Sequence, residues 1–344
     1  NRSDFLFSPA IWPDSLASNT AVLDSDLIHL HWICAGFVRI ETLKKFRKPI
    51  IWTIHDSWPF TGGCHIPFDC KRYIDFCGSC PILGSSRKWD LSHWIWLRKH
   101  KSWHNLNLTV IAPSNWLASC ARSSSLFRKS RIEVIRNGLD IERFRPINKH
   151  DVRELLLLPK DKKLILFGAS KINSDKNKGL HFLLSALHKL SQMGWSDKAE
   201  LLIFGTSHPA EFLESGIKVH YLGHLNDEIS LSLLYAAADV FVISSLQENL
   251  PNTIMESFAS GTPVVGFNVG GIPEMIEHQK NGYLAKAMDS NDLANGIQWI
   301  LADIQRYDRL SIAAREKAVQ EYSIETQALR YRNLYERLIE ELRD

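Results

Sequence analysis

Short apolar runs of four to six residues recur along this chain, separated by stretches whose apolar residues fall at helical spacing. A run that is apolar on both alternating faces has no solvated side, so it belongs inside a sheet covered on both faces. A helix between two such runs supplies cover and returns the chain to start the next strand in parallel. In the first part the expected strands are Leu27–Trp32, Ile50–Ile54, Leu108–Ala112 and Ile132–Ile135. In the second they are Lys163–Phe167, Glu200–Phe204, Lys218–Tyr221, Val240–Ser244 and Thr262–Phe267. Helical patterns follow most of them, as at His181–Met193 and Ile229–Ala237, and a long amphipathic pattern at Ile324–Leu342 ends the chain. The expected class is α/β, with two doubly wound units whose ligands sit at the carboxyl ends of the strands.

The joint is expected near Arg136-Asn137-Gly138-Leu139-Asp140, followed by Phe144-Arg145-Pro146, because Asn-Gly and a nearby Pro are turn chemistry. That gives domains 1–146 and 147–344. A surface loop and a hinge over a cleft fit this segment equally. Charge separates the two parts where the total of +3 conceals it. Residues 1–146 hold 20 Lys and Arg against 12 Asp and Glu, and residues 147–344 hold 21 against 26. Nine of the eleven tryptophans and all six cysteines lie in the first part, which should favour anionic surroundings. No apolar run reaches the ~20 residues a bilayer span needs. The chain opens on Asn-Arg-Ser-Asp without an apolar leader, and it opens mid-pattern, so the first domain is expected to lack its opening strand. The expected location is the cytoplasm, with the inner face of the membrane as a peripheral surface.

Chemistry concentrates in the segment after Val240. A buried strand ends in Ser244-Ser245, a loop carries Glu248, Pro251 is expected at the first helical position, Glu256 lies inside the helix and Gly261 ends it. A helix N-terminus at the carboxyl end of a parallel strand attracts an anion through its free amides and dipole, worth ~0.3–2 kcal/mol. Two carboxylates eight positions apart can face one cleft, where they would repel a phosphate but bind the hydroxyls of a sugar. The plain alternative is a capping Glu and a surface Glu.

The run Glu248-Asn-Leu-Pro-Asn-Thr-Ile-Met-Glu256, followed by Ser-Phe-Ala-Ser-Gly-Thr-Pro-Val-Val, resembles the E-x7-E signature of the retaining family 4 glycosyltransferases of the GT-B fold. The resemblance runs from about Trp52 to the C-terminus. Along it fall Ile51-Trp52-Thr53-Ile54-His55-Asp56, Ala112-Pro113-Ser114, Arg136-Asn137-Gly138-Leu139-Asp140 and Lys178-Gly179. It implies two Rossmann-like domains facing a cleft, with a nucleotide-diphosphate sugar held by the second and the acceptor by the first. By position, Glu256 would bind the ribose hydroxyls, Glu248 the transferred sugar and Lys178 the leaving diphosphate. His55 would contact the donor sugar, and Gly168, Ser170, Asn249, Leu250, Asn252 and Thr253 would line the donor. A Lys with helix amides can stabilise the leaving charge by preorganised electrostatics. No Asp-x-Asp pair stands at a strand end, so no catalytic metal is expected. Retention of configuration, by same-face attack assisted by the leaving phosphate, is likewise what the family implies.

The sequence departs from the family at three places. Leu250-Pro251 stands where Phe-Gly often follows the first Glu, and Gly168-Ala169-Ser170 stands where Gly-Arg is usual. A second diphosphate cation is then missing unless Lys171, Lys176 or an Arg elsewhere replaces it. The Gly-rich loop after the family's first strand is absent from the chain.

Two further features lie in the first part. Cys64, Cys70, Cys77 and Cys80 follow His55-Asp56-Ser57-Trp58, and one pair has the C-x2-C spacing of a tetrahedral zinc site, with His65 as a competing ligand. Structural zinc is the expectation, against free thiols and against disulfides, which a cytosolic setting disfavours. Cys34 and Cys120 are expected to be simply buried. Residues 87–104 carry four tryptophans among five Lys and Arg, a basic aromatic helix suited to a membrane interface or, as the alternative, to core packing. No nucleic-acid motif accompanies it. The expected activity is transfer of a sugar from a nucleotide-diphosphate sugar to a saccharide, lipid-linked, in bacterial surface polysaccharide synthesis. The rivals are a GT-B-shaped binding protein without catalysis and a nucleotide-sugar epimerase.

Overall fold

The computed structural model describes residues 5–12, 15–168, 175–205, 215–225 and 227–343. In chain order the first elements are α1 (Thr20–Asp24), β1 (Ile28–Leu30), β2 (Ile50–Thr53), α2 (Leu91–Trp103), β3 (Leu108–Ala112), α3 (Asn115–Ser123) and β4 (Arg131–Val134). There follow α4 (Lys149–Leu155), β5 (Lys163–Gly168), α5 (Leu180–Leu190), β6 (Ala199–Phe204), β7 (Lys218–Tyr221), α6 (Glu228–Ala237), β8 (Val240–Ile243) and α7 (Asn252–Ala259). The last are β9 (Val264–Phe267), α8 (Ile272–Met275), β10 (Gly282–Ala285), α9 (Ser290–Leu301), α10 (Ile304–Glu321) and α11 (Ile324–Glu340).

The chain divides into two compact units, Asn1–Arg136 with Ala328–Asp344, and Asn137–Gln327. The division falls at Arg136 rather than Pro146, and most of α11 goes with the first unit. The reason is apolar burial. Tyr331, Leu334 and Leu338 cover Ile51 of β2, Ile111 of β3 and Ile135, which would otherwise face water.

The first unit holds a parallel sheet in the order β1-β2-β3-β4. Strands β2 and β3 are buried along their whole length. Alternation splits their side chains between two cores: Ile50, Trp52, Leu108 and Val110 enter one, while Ile51 and Ile111 face α11. Helix α2 starts where Asp90 accepts hydrogen bonds from the Ser92 and His93 amides, a side-chain cap. It buries Ile95, Lys99 and Trp103.

The second unit holds a six-stranded parallel sheet in the order β10-β9-β8-β5-β6-β7. Both faces are covered. Leu164, Leu166, Leu202, Phe241 and Ile243 enter one core, and Ile165, Phe167, Leu201, Ile203, Val240 and Val242 enter the other. The sheet order reverses between β5 and β8, so crossovers leave to opposite sides there and a crevice opens at the carboxyl ends.

The expected elements shift at their ends for local reasons. Strand β9 begins at Val264 because Pro263 has no amide to give; its carbonyl instead accepts from Phe241 N at 3.0 Å. Pro251 is the residue before α7, with φ −67° and ψ 121°, so the helix starts one position later than expected. Helix α5 gives way after Leu190 to a wider turn over Ser191–Trp195. Strand β10 was not among the expected strands: it is four residues long, starts on Gly282, and is held by parallel pairing to β9.

Candidate active site

The carboxyl ends of β5 and β8 lie side by side at the point where the sheet order reverses. Gly168 ends β5, and Ser244 and Ser245 follow β8. A tight turn, Lys176–Lys178, comes up against the loop after β8. Asp175 caps that turn by accepting from Asn177 N at 3.0 Å. Ser244 Oγ donates to Lys178 O at 2.9 Å. Gly179 follows with φ +63°, and a Cβ there would fall 2.0 Å from Ser244 O, so only glycine permits this approach.

Lys178 Nζ and Glu248 Oε1 pair at 2.8 Å, with side-chain exposures of 29% and 17%. Burial alone would lower the Lys178 ammonium. The Glu248 carboxylate outweighs it, with Asp175 adding, and holds the amine above the usual lysine value. The backbone of Glu248 is fixed from the other side. Its carbonyl accepts from Gly271 N at 2.9 Å, and Gly270, φ +57°, sits where a Cβ would be 2.0 Å from that oxygen.

These groups border a cavity of about 270 Å³ lined by Phe167, Gly168, Lys178, Phe204, Ile243, Ser245, Glu248, Pro251, Asn252 and Thr253. Of the expected donor residues, Gly168, Asn252, Thr253, Lys178 and Glu248 are therefore brought together. No side chain caps α7, so its first turn presents backbone amides and the positive end of the dipole toward this space. Leu250 instead belongs to the core, 5% exposed, and Asn249 does not line the cavity. Ser170 and Lys171 lie outside the described residues. Lys176 is exposed in the turn before Lys178.

Glu256 sits one turn deeper on α7 and does not line the cavity. Burial pushes its carboxyl above the usual glutamate value, opposed in part by the Tyr235 hydroxyl. Tyr235, on α6, is wholly buried, and its hydroxyl faces Glu256 without closing a hydrogen bond of good geometry. The sequence reading missed Asn177, Ser244, Gly270, Phe204 and Tyr235. The Asn-Lys-Gly run and the Val-Gly-Gly run were the available signals, since both mark backbone that cannot carry an ordinary turn.

In the first unit, His55 stands just past the end of β2, its Nε2 3.1 Å from His31 Nδ1. Desolvation and then His31 lower its pKa, so the ring is held neutral near pH 7. The neighbouring Asp56 accepts from Trp58 N at 2.8 Å and Trp32 Nε1 at 3.1 Å, and lies 2.7 Å from His65 Nδ1. These partners lock the backbone that presents His55.

Cys64, Cys70, Cys77 and Cys80 are free thiols, and among the described residues no group of three or more His, Cys, Asp or Glu is arranged to hold a metal ion. Cys77 Sγ instead accepts from Gly62 N at 3.1 Å. Burial pushes the Cys64 and Cys77 thiols up to about 12, which keeps them protonated. The basic segment sends Trp103, 5% exposed, into the core, while Trp89 and Trp94 remain on the surface at 72% and 46%. Among the described residues no helix is long and apolar enough to cross a membrane.

The chain resembles known sequences and structures along both of its halves. The family described as "Glycosyltransferase Family 4" matches residues 2–143, and "Glycosyl transferases group 1" matches residues 162–303. An uncharacterized glycosyltransferase of Methanocaldococcus jannaschii is 30% identical over 322 residues, covering 90% of this chain and 75% of that protein. The UDP-Gal:alpha-D-GlcNAc-diphosphoundecaprenol alpha-1,3-galactosyltransferase of Escherichia coli is 27% identical over 60% of this chain, which spans about half (54%) of that enzyme. The structure of a sucrose-phosphate synthase from Thermosynechococcus elongatus superposes with a TM-score of 0.72 at 24% identity, over 92% of this chain and 75% of that one. Two parallel sheets with helices on their faces, of the GT-B kind, and the matches to both halves lead to one assignment: the chain belongs to the group 1 glycosyltransferases of family 4.

Proposed function

We propose that the chain transfers a sugar, with retention of configuration, from a nucleotide-diphosphate sugar to a lipid-linked saccharide in surface polysaccharide synthesis. The observation that carries this reading is the Lys178–Glu248 pair on the cavity at the β5–β8 crevice. A diphosphate needs positive charge that is fixed before the reaction, and Lys178 with the α7 amides supplies it. A transferred sugar offers hydroxyls, and the Glu248 carboxylate accepts from them once the diphosphate has taken its place on Lys178. Glu256 is assigned to the ribose, reached along the same face of α7. No step requires a metal among these residues.

The lipid-linked acceptor is supported by the activity of the Escherichia coli relative, whose acceptor is a diphosphoundecaprenol-linked sugar. Surface Trp89 and Trp94, in a part of the chain rich in Lys and Arg, suit a peripheral site on an anionic leaflet.

The test is a panel of UDP- and GDP-sugars, first for thermal stabilisation and then for sugar transfer to short polyprenyl-diphosphate saccharides. Transfer giving a product of the donor's anomeric configuration is expected. Conversion of the donor without acceptor, or binding with neither transfer nor hydrolysis, would overturn the reading in favour of an epimerase or a binding protein.

A further inference from the structure

The two charged groups at the cavity stand on segments far apart in sequence. Lys178 is on the turn before α5, and Glu248 is on the loop after β8. Neither segment lies in an α-helix or a strand, so nothing in the α-helix or sheet ladders fixes one against the other. Ser244 Oγ holds the Lys178 carbonyl at the base of the loop, and one residue joins the turn to the loop beside Glu248. Asn177 is 2% exposed, and its side-chain amide closes a ring with the backbone of Gln247. Its Nδ2 donates to Gln247 O at 2.9 Å, and its Oδ1 accepts from Gln247 N at 3.1 Å. Its own carbonyl accepts from Leu246 N at 2.8 Å. Three hydrogen bonds from one residue thus reach the two residues that immediately precede Glu248.

We propose that Asn177 is a positioning residue that sets the spacing of Lys178 and Glu248, and thereby the register in which a donor diphosphate meets the lysine. The inference rests on the assignment of Lys178 to the diphosphate. The argument is geometric. A primary amide is the side chain that offers a donor and an acceptor side by side, which is what one residue's N–H and C=O require. Buried as it is, the amide satisfies both groups only in this pose, because a lost partner leaves an unsatisfied polar atom in the interior. Aspartate would keep the acceptor and set its second oxygen against the Gln247 carbonyl. Leucine would fill the volume and hold nothing.

A core role and a positioning role make different predictions in a double-mutant cycle. The probe is whichever of UDP and GDP binds the wild-type chain more tightly by calorimetry. Lys178→Ala is expected to raise its Kd at least tenfold, and Asn177→Ala about as much. Asn177→Ala combined with Lys178→Ala should bind no more than about twofold weaker than Lys178→Ala alone, since there is no lysine left to place. Asn177→Asp is expected to lower the Tm and, at a temperature where it is folded, to give the same cycle, so that the test has a second variant beside the alanine. Multiplicative losses in the double variants, or a wild-type Kd for both Asn177 variants, would overturn the proposal alone. An unchanged Kd for Lys178→Ala, or no binding of either nucleotide to the wild type, would overturn the diphosphate assignment and the proposal with it.

Discussion

Lys178 and Glu248 form an ion pair of 2.8 Å on the wall of the cavity proposed for the donor diphosphate. The lysine charge is therefore already answered by a carboxylate, and an incoming diphosphate competes with Glu248 for it. The acidic balance of residues 147–344 sharpens the point, since overall charge gives an anion no welcome there.

Glu248→Gln should on this account tighten binding of the free nucleotide diphosphate while lowering sugar transfer. A partly exposed pair of this kind is worth about 1 kcal/mol, so the expected gain is about fivefold in Kd. Calorimetry with UDP or GDP, together with turnover on the active donor, measures both. A weaker Kd in the variant would show that the carboxylate helps rather than competes.

The Glu256 carboxyl gives a pH dependence whose sign follows from its raised pKa. Ribose hydroxyls donate to the charged form, so nucleotide affinity should fall as pH drops through that raised value, beginning above the ordinary value of 4.5. Folding runs the opposite way: the folded chain holds this proton more tightly, so the charged group lowers stability as pH rises past 4.5. Glu256→Gln should flatten the binding profile and cost ~1.5–3 kcal/mol of affinity at neutral pH. Calorimetric titrations at several pH values distinguish this from a profile set elsewhere.

Much of this site was legible in the sequence because its parts are local. The Glu248-to-Glu256 run encodes a loop, a helix start and two carboxylates at fixed spacing, and α7 follows it within one residue. Lys178 was legible through the Gly beside it. Asn177 and Tyr235 were not, because their meaning lies in partners 70 and 21 positions away, on Gln247 and Glu256. For the cysteines only the spacing was legible; the direction of each thiol is set by the fold, where Cys77 Sγ accepts from the Gly62 amide. The destination of α11 was equally hidden, since an amphipathic stripe names no partner.

Lys99 should make the first unit more stable as pH rises from neutral. It is wholly buried on α2, its Nζ donating to the carbonyls of Trp58 and Thr61 and lying 3.5 Å from the Trp58 ring centre. Burial lowers the amine from 10.5 to about 7. The unfolded chain then binds more protons than the folded chain between these values, and stability climbs with pH over that window. Buried Cys64 and Cys77, raised from 9.0 to about 12, oppose the climb above pH 9, so the clean interval is pH 7 to 9. Denaturant midpoints followed by tryptophan fluorescence should rise across that interval in the wild type and stay level in Lys99→Met. The variant should also lose ~1–3 kcal/mol, because two carbonyls lose their donor.

The end of α11 should behave as part of the first unit's core. Tyr331 OH lies 2.6 Å from Thr53 Oγ1, which lies 2.8 Å from His29 Nε2, and His29 Nδ1 lies 2.6 Å from Tyr335 OH. This hydrogen-bonded chain fixes the helix's rotation, while Leu334 and Leu338 supply the burial on Ile51 and Ile111. Leu334→Ala should cost ~2–5 kcal/mol through the cavity it leaves, and Tyr331→Phe about 1 kcal/mol through the lost hydroxyl. Both losses should appear in denaturant midpoints read by tryptophan fluorescence. Nucleotide affinity, measured where the variants are folded, should stay within about twofold of wild type, because the cavity residues belong to the second unit. A large loss of affinity in a folded Leu334→Ala chain would show that α11 does more than close the first core.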